Sequence, residues 1–165
     1  MIDTRTATVT TPSEREIVIT RTFDAPRATV FEAWTRPEHV KHWWDPAGAA
    51  LAVCEIDLRP NGAFRFVNRD PAGGDHAFAG IYREISAPAR LVFSARAGDA
   101  GPETVGTLIF DEKGRQTTLT ITIACASKAD RDYLLQLKVD AGTVRTLENL
   151  DGYLSGRASD AMIRA

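Results

Sequence analysis

The sequence is short of most features that announce a chemistry. It has two cysteines. Cys54 and Cys125 lie far apart, in neither a CxxC nor a metal-type spacing, so they read as buried small apolar groups in a reducing, cytoplasmic protein. No run approaches the ~20 apolar residues of a membrane helix, so no integral membrane segment is expected. Lys and Arg total 20 against 22 Asp and Glu, a net charge of -2, with no basic run. That balance lacks the electrostatic footprint of a nucleic-acid partner. HExxH, facial-triad, thiolate-cluster and GxSxG patterns are all absent. His39 and His42 are one turn apart with Glu38 beside them, but a metal needs three or four converging ligands, and we read them as a solvated helix face. No catalytic residue, metal site or cofactor is assigned.

What is present is a globular composition, 44% hydrophobic and 25% charged, over 165 residues, which suits one domain with its own core. The Thr-rich start has no apolar signal-peptide core, and residues 1–14 read as a flexible tail. Glu16 to Phe23 alternates as a strand, with Ile17, Ile19 and Arg21 sharing one face. Asp24 and Pro26 suit the start of a helix whose face carries Val30, Ala33 and Trp34. Pro37 ends it, and Thr35 with Glu38 has capping-box spacing for a second short helix carrying Val40 and Trp43. Strands are then expected at Leu51–Leu58, Ala63–Asn68, His76–Ile85, Arg90–Arg96, Thr104–Phe110 and Gln116–Cys125. Asn61-Gly62 suggests a type I′ turn. With no helix-length segment between them these strands should be antiparallel.

Ser127 and Asp130 open a helix expected to run unbroken to about Leu154, ~40 Å at 1.5 Å per residue. Leu134, Leu137, Ala141, Val144, Leu147, Leu150 and Leu154 form its apolar stripe. Gly142 interrupts it, as a tolerated weak helix position, because the backbone approaches something closely, or because space is left open there. The fold class is therefore α+β: a curved antiparallel seven-stranded sheet wrapped around a long C-terminal helix, with two short helices between strands 1 and 2. The domain spans 15–156, and 157–165 reads as a C-terminal tail. A sheet curled round one helix cannot pack tightly along its whole length, so a void between them is expected.

Four segments together resemble a known family: Phe23–Pro26 with Val30–Trp34, Pro37 and Glu38; Cys54–Gly62; Gly80–Ile85 with Pro88 and Arg90–Phe93; and Gly142 with Thr146, Leu147 and Leu150–Leu154. They are similar to the START-like (SRPBCC) helix-grip superfamily, in its branch named for homologues of the heat-shock-protein-90 ATPase activator. Asn61-Gly62 stands where the branch usually has Gly-Gly, and Thr143 where an aromatic often follows the glycine. The resemblance implies a helix-grip fold with a cavity. It does not imply a chaperone partner, because the chaperone contacts of the eukaryotic activator involve a further domain.

The aromatic density suggests the cavity wall. Trp34, Trp43, Phe64, Phe66, Phe78, Tyr82, Phe93, Tyr133, Leu137 and Ala141 are the candidate ligand-binding residues, with Trp43 a better inward candidate than Trp44. Tyr82, a tryptophan N–H or Arg65 could anchor a polar end. We read Phe64 and Phe66 as inward, which puts Arg65 on the surface; the alternative face would make Arg65 a buried anchor. By the same alternation Glu55 and Asp57 lie opposite Cys54, Ile56 and Leu58, at the outside or a rim. The leading expectation is a non-enzymatic binder of a small hydrophobic, lipid-, polyketide- or aromatic-like molecule, as a monomer or homodimer. An enzyme of cyclase, aromatase or hydrolase type using the same cavity is the alternative, and a chaperone-interacting module is the third.

Overall fold

The computed structural model describes residues 6–164, the last eight as backbone only. Strand β1 (Thr8–Thr10) and β2 (Glu16–Phe23) precede two short helices, α1 (Arg27–Thr35) and α2 (Pro37–Trp43). Six strands follow: β3 (Val53–Ile56), β4 (Ala63–Arg69), β5 (Asp75–Ser86), β6 (Arg90–Ala97), β7 (Thr104–Lys113) and β8 (Gln116–Cys125). Two helices end the chain, α3 (Lys128–Gln136) and α4 (Val139–Arg164). All strands join one antiparallel sheet in the order β1-β2-β8-β7-β6-β5-β4-β3. This is the expected α+β helix-grip arrangement, with eight strands instead of seven.

The additional strand lies in the segment expected to be a flexible tail. Thr8, Val9 and Thr10 pair with Thr20, Ile19 and Val18, so β-favouring residues find an open edge of β2. Ser13 is also tied down: its carbonyl accepts from Arg131 Nη1 at 2.6 Å. At the other end, α4 continues as helix through Arg164, where a tail from 157 was expected. Residues 1–5 and 165 lie outside the described residues.

Alternation decides which face of each strand is buried. Ile17, Ile19 and Phe23 of β2 turn inward, opposite Ile123, Ile121 and Thr117 of β8. Leu108 and Phe110 of β7, Leu91 and Ala95 of β6, Tyr82 of β5, and Phe64 and Phe66 of β4 continue the inner face. Arg21 shares it and is 8% exposed. Its Nη2 meets Asp151 of α4 at 3.1 Å, and its guanidinium stands 5.7 Å from the Phe23 ring centre. A buried cation is tolerable only with such partners.

Of four local expectations one holds and three change. Ser127 caps α3 through its Oγ, which accepts from Asp130 N, as read from the sequence. The Thr35–Glu38 box does not form: Thr35 Oγ1 instead donates back to the Phe31 carbonyl, and Arg36 occupies the cap position. Asp24 does not cap α1 either, because its carboxylate accepts from Gln116 Nε2. The β3–β4 turn is type II, not I′. Asn61 alone has positive φ (66°), and Gly62 N donates to the Arg59 carbonyl at 2.8 Å around Pro60-Asn61.

The larger correction concerns the C-terminal helix. It is two helices, broken at Lys138, whose φ is 60°. The Lys138 N–H folds back to the Leu135 carbonyl and the Leu137 N–H to Tyr133, closing α3 with a left-handed residue. No glycine or proline announces this break. Residue 138 should therefore rank Gly above Lys above Val in stability. Lys138→Gly is expected to gain up to ~1 kcal/mol, and Lys138→Val to lose ~1–2 kcal/mol, read as denaturation midpoints at constant m-value.

Candidate ligand cavity

Between the sheet and the helices lies a cavity of about 580 Å³. Its depth is walled by Trp34 of α1, Phe93 of β6, Leu108 of β7, Ile121 and Ile123 of β8, and Leu134 of α3. Trp44 and Phe78 form a side wall. Ala97 at the end of β6 and Gly98 to Pro102 of the β6–β7 loop meet Tyr133 of α3 and its capping residue Leu137 around the mouth. Tyr133 is 48% and Leu137 58% exposed, so apolar side chains stand at the entrance itself.

Two glycines shape this space for opposite reasons. At Gly106 of β7 a Cβ would come within 2.7 Å of the Phe93 ring, so the missing side chain lets that ring lie across the neighbouring strand. At Gly142 of α4 a Cβ would meet nothing within 4 Å. It adjoins the cavity, and its backbone is ordinary helix. The position leaves the space open.

The tryptophans divide their work differently from the sequence reading. Trp43 is fully buried in the core and donates its Nε1–H to the Ala33 carbonyl at 3.2 Å. It does not line the cavity, whereas Trp44 does. Trp44 is the residue closing α2, one step of about 100° round from Trp43. That step swings its ring onto Phe66 and Phe78, at 4.8 and 5.3 Å between centres. Its place is held from α4. Thr146 Oγ1 donates to the Trp44 carbonyl at 3.0 Å, and Asn149 Nδ2 donates to the Asp45 carbonyl at 2.8 Å. Trp34 stands edge-on to both other indoles, and its buried Nε1–H has no hydrogen-bond partner among the described residues.

Of the residues named from the sequence, Trp34, Phe78, Phe93, Tyr133 and Leu137 line the cavity. Phe64, Phe66 and Tyr82 point inward but close into an aromatic cluster beside it with Trp44, Phe78 and Phe93, leaving a crevice of only about 10 Å³. Tyr82 is 2% exposed, and burial pushes its phenol well above the usual range. It is not at the cavity wall, so it cannot anchor a ligand there. Arg65 is exposed between the inward Phe64 and Phe66, which removes it as an internal anchor. Glu55 and Asp57 are exposed as well, and Asp57 pairs with Arg59 at 2.8 Å. Ala141 is exposed because the break at Lys138 resets the helix phase, bringing Gly142, Thr143 and Thr146 to the cavity in its place. The β6–β7 loop, Gly106 and the threonines were missed as cavity lining; Gly142, by contrast, carried a signal in the sequence as an interruption of the helical stripe.

His39 is not on a solvated face. Its side chain is 11% exposed and packs between helices, with Nδ1 at 2.6 Å from the Tyr153 hydroxyl and Nε2 at 3.7 Å from Glu32. His42 stacks on the same tyrosine. No cluster of three or more candidate metal ligands occurs among the described residues. Cys54 and Cys125 are unpaired, and burial raises both thiols, that of Cys54 to about 11.

This architecture, a sheet gripping C-terminal helices with two short helices closing one end, is the helix-grip class. The family model described as "Activator of Hsp90 ATPase homolog 1-like protein" matches residues 24–155, and the chain belongs to that family. Solved structures agree on the fold. A Rhodobacter sphaeroides protein is 21% identical, with 91% of this chain and 98% of that one covered at a TM-score of 0.84. A Nitrosomonas europaea protein is 22% identical over 90% and 99% of the two chains, at 0.81. An Arthrobacter aurescens protein is 21% identical over 90% and 91%, at 0.82. No curated protein matches the sequence.

Two outcomes check this geometry. Gly142→Ala should raise stability by roughly 0.8–1 kcal/mol through helix propensity alone, because the added methyl meets open space; a loss in thermal unfolding would mean the space is filled. At pH 7.5, far below the Cys54 value of about 11, native protein should react with a thiol reagent much more slowly than unfolded protein.

Proposed function

We propose that this protein is a non-enzymatic carrier or receptor for a small apolar or amphipathic molecule, held between the sheet and the C-terminal helices. The observation that carries the reading is the cavity of about 580 Å³ with aromatic and aliphatic walls. At ~24 cal/mol per Å³, a dry void of that size would cost on the order of 10 kcal/mol, comparable with the whole stability of a domain. Such a space is filled by water or by a ligand. Water against Phe93, Leu108, Ile121 and Leu134 makes few hydrogen bonds, so displacing it with an apolar body is favourable. At ~25 cal/mol per Å², burying about 300 Å² of ligand surface contributes roughly 7 kcal/mol before the cost of immobilisation.

The ionisable lining side chains are Asp99 and Tyr133, both at the mouth, so binding is favoured over acid–base chemistry within the cavity. The family's name invites a chaperone partner, but an internal cavity needs no chaperone contact to act. A reducing, cytoplasmic location fits two unpaired cysteines. No helix among the described residues is long and apolar enough to cross a membrane.

Native mass spectrometry of protein purified from its own host should retain a small molecule at one-to-one stoichiometry. In a thermal-shift screen of apolar compounds, a ligand at ~100 times its dissociation constant adds about 2.7 kcal/mol, a rise of roughly 5–10 °C for a domain of this size. Gly142→Phe, placed to fill the cavity, should abolish the shift while the variant remains folded. Equal shifts in both proteins would put binding elsewhere and sink the reading.

A further inference from the structure

Resting on that reading, we infer that the cavity selects amphiphiles whose polar end carries no negative charge, alcohols and ammonium groups over carboxylates. The lining includes no Lys, Arg or His, and its one charged side chain is Asp99, on the mouth loop. Cations near the mouth lie outside that wall. Arg96 is turned to Glu103, at 3.8 Å, and Lys138 is exposed at the helix break without lining the cavity.

The threonine hydroxyls of the wall point the same way. Thr104, Thr143 and Thr146 line the cavity, and each has its proton committed to a backbone carbonyl. Thr104 Oγ1 donates to Ala95 at 3.4 Å, Thr143 Oγ1 to Val139 at 2.8 Å, and Thr146 Oγ1 to Trp44 at 3.0 Å. A hydroxyl has one proton and two lone pairs, so these three oxygens are left as acceptors. An alcohol or ammonium can donate to them. A carboxylate only accepts; Asn68, Trp44 and Tyr133 carry donors in the wall, but none of them brings a positive charge, so a carboxylate would leave water with no counter-charge to meet it. At the mouth it would also face Asp99.

Three probes with one tail separate the head-group effect from apolar burial: decanol, decanoate and decylammonium, each below its micelle concentration at pH 7. Quenching or enhancement of tryptophan fluorescence reports binding, since Trp34 and Trp44 line the cavity. Decanol and decylammonium should bind at least tenfold more tightly than decanoate. Decanoate binding as tightly as decanol would overturn the inference and leave the binding reading standing. If neither these probes nor the uncharged dye Nile red bind, the reading itself fails and takes the inference with it. In Asp99→Lys the gap between decanol and decanoate should narrow at least threefold. An unchanged gap would place the discrimination away from this mouth and overturn the assignment.

Discussion

The constraint behind this structure is a mismatch of widths. Strands lie ~4.8 Å apart, so eight of them make a sheet roughly 33 Å across, while a helix with its side chains is only ~10–12 Å wide. One helix cannot cover that inner face. The chain divides the task among four. Helix α4 packs on β2, α3 on β8, α1 on β7 and β8, and α2 on β3. The aromatic rings of β4, β5 and β6 cover part of the remaining face by stacking on one another and on Trp44. The cavity is the part that none of these reaches.

Trp44 matters because it stands at the boundary between filled and unfilled space. On one side it touches Phe66 and Phe78; on the other it walls the cavity. Its ring is placed by its own backbone, and that backbone is gripped by Thr146 while Asn149 grips the next carbonyl. Buried carbonyls at a helix end need such donors. The same two hydrogen bonds therefore satisfy the end of α2, fasten it to α4 and set one cavity wall. His39 and Tyr153 fasten the same two helices at a second point.

Much of this was legible in the sequence, because strand alternation is a strong signal. Glu16–Phe23 and Gln116–Cys125 were read with their observed limits, and the preference for inward Phe64 and Phe66 placed Arg65 correctly outside. What failed was whatever depended on phase across an unannounced break. Lys138 is neither glycine nor proline, so the apolar stripe was continued through it and Ala141 was carried inward. The choice of Trp43 over Trp44 failed for a related reason. Periodicity correctly gave Trp43 a buried place, but a buried residue fills the core, and the residue just past the end of a helix is freer to face a void. Capping expectations failed where a side chain had a better partner: Thr35 in the preceding turn, and Asp24 in Gln116 across the fold. The β1 edge strand escaped notice because three residues are too few to show a period.

Helix α4 itself separates stability from binding along its length. Its second part presents Leu147, Leu150 and Leu154, all buried, and Asp151, which neutralises Arg21 inside the sheet. Its first part presents Val139, Gly142, Thr143 and Thr146 to the cavity, small or polar groups that leave room. A uniformly leucine-rich face would pack better and close the space. The Arg21–Asp151 pair, a buried cation with a partly exposed carboxylate, lies with the well-packed part, and neither member is among the cavity-lining residues. Substitutions at 147–154 should therefore act chiefly on folding and those at 139–143 chiefly on what the cavity admits. Thr146 stands between them, lining the cavity and holding Trp44 at once. Removing its hydroxyl would leave the Trp44 carbonyl without that donor and loosen the wall in the same step.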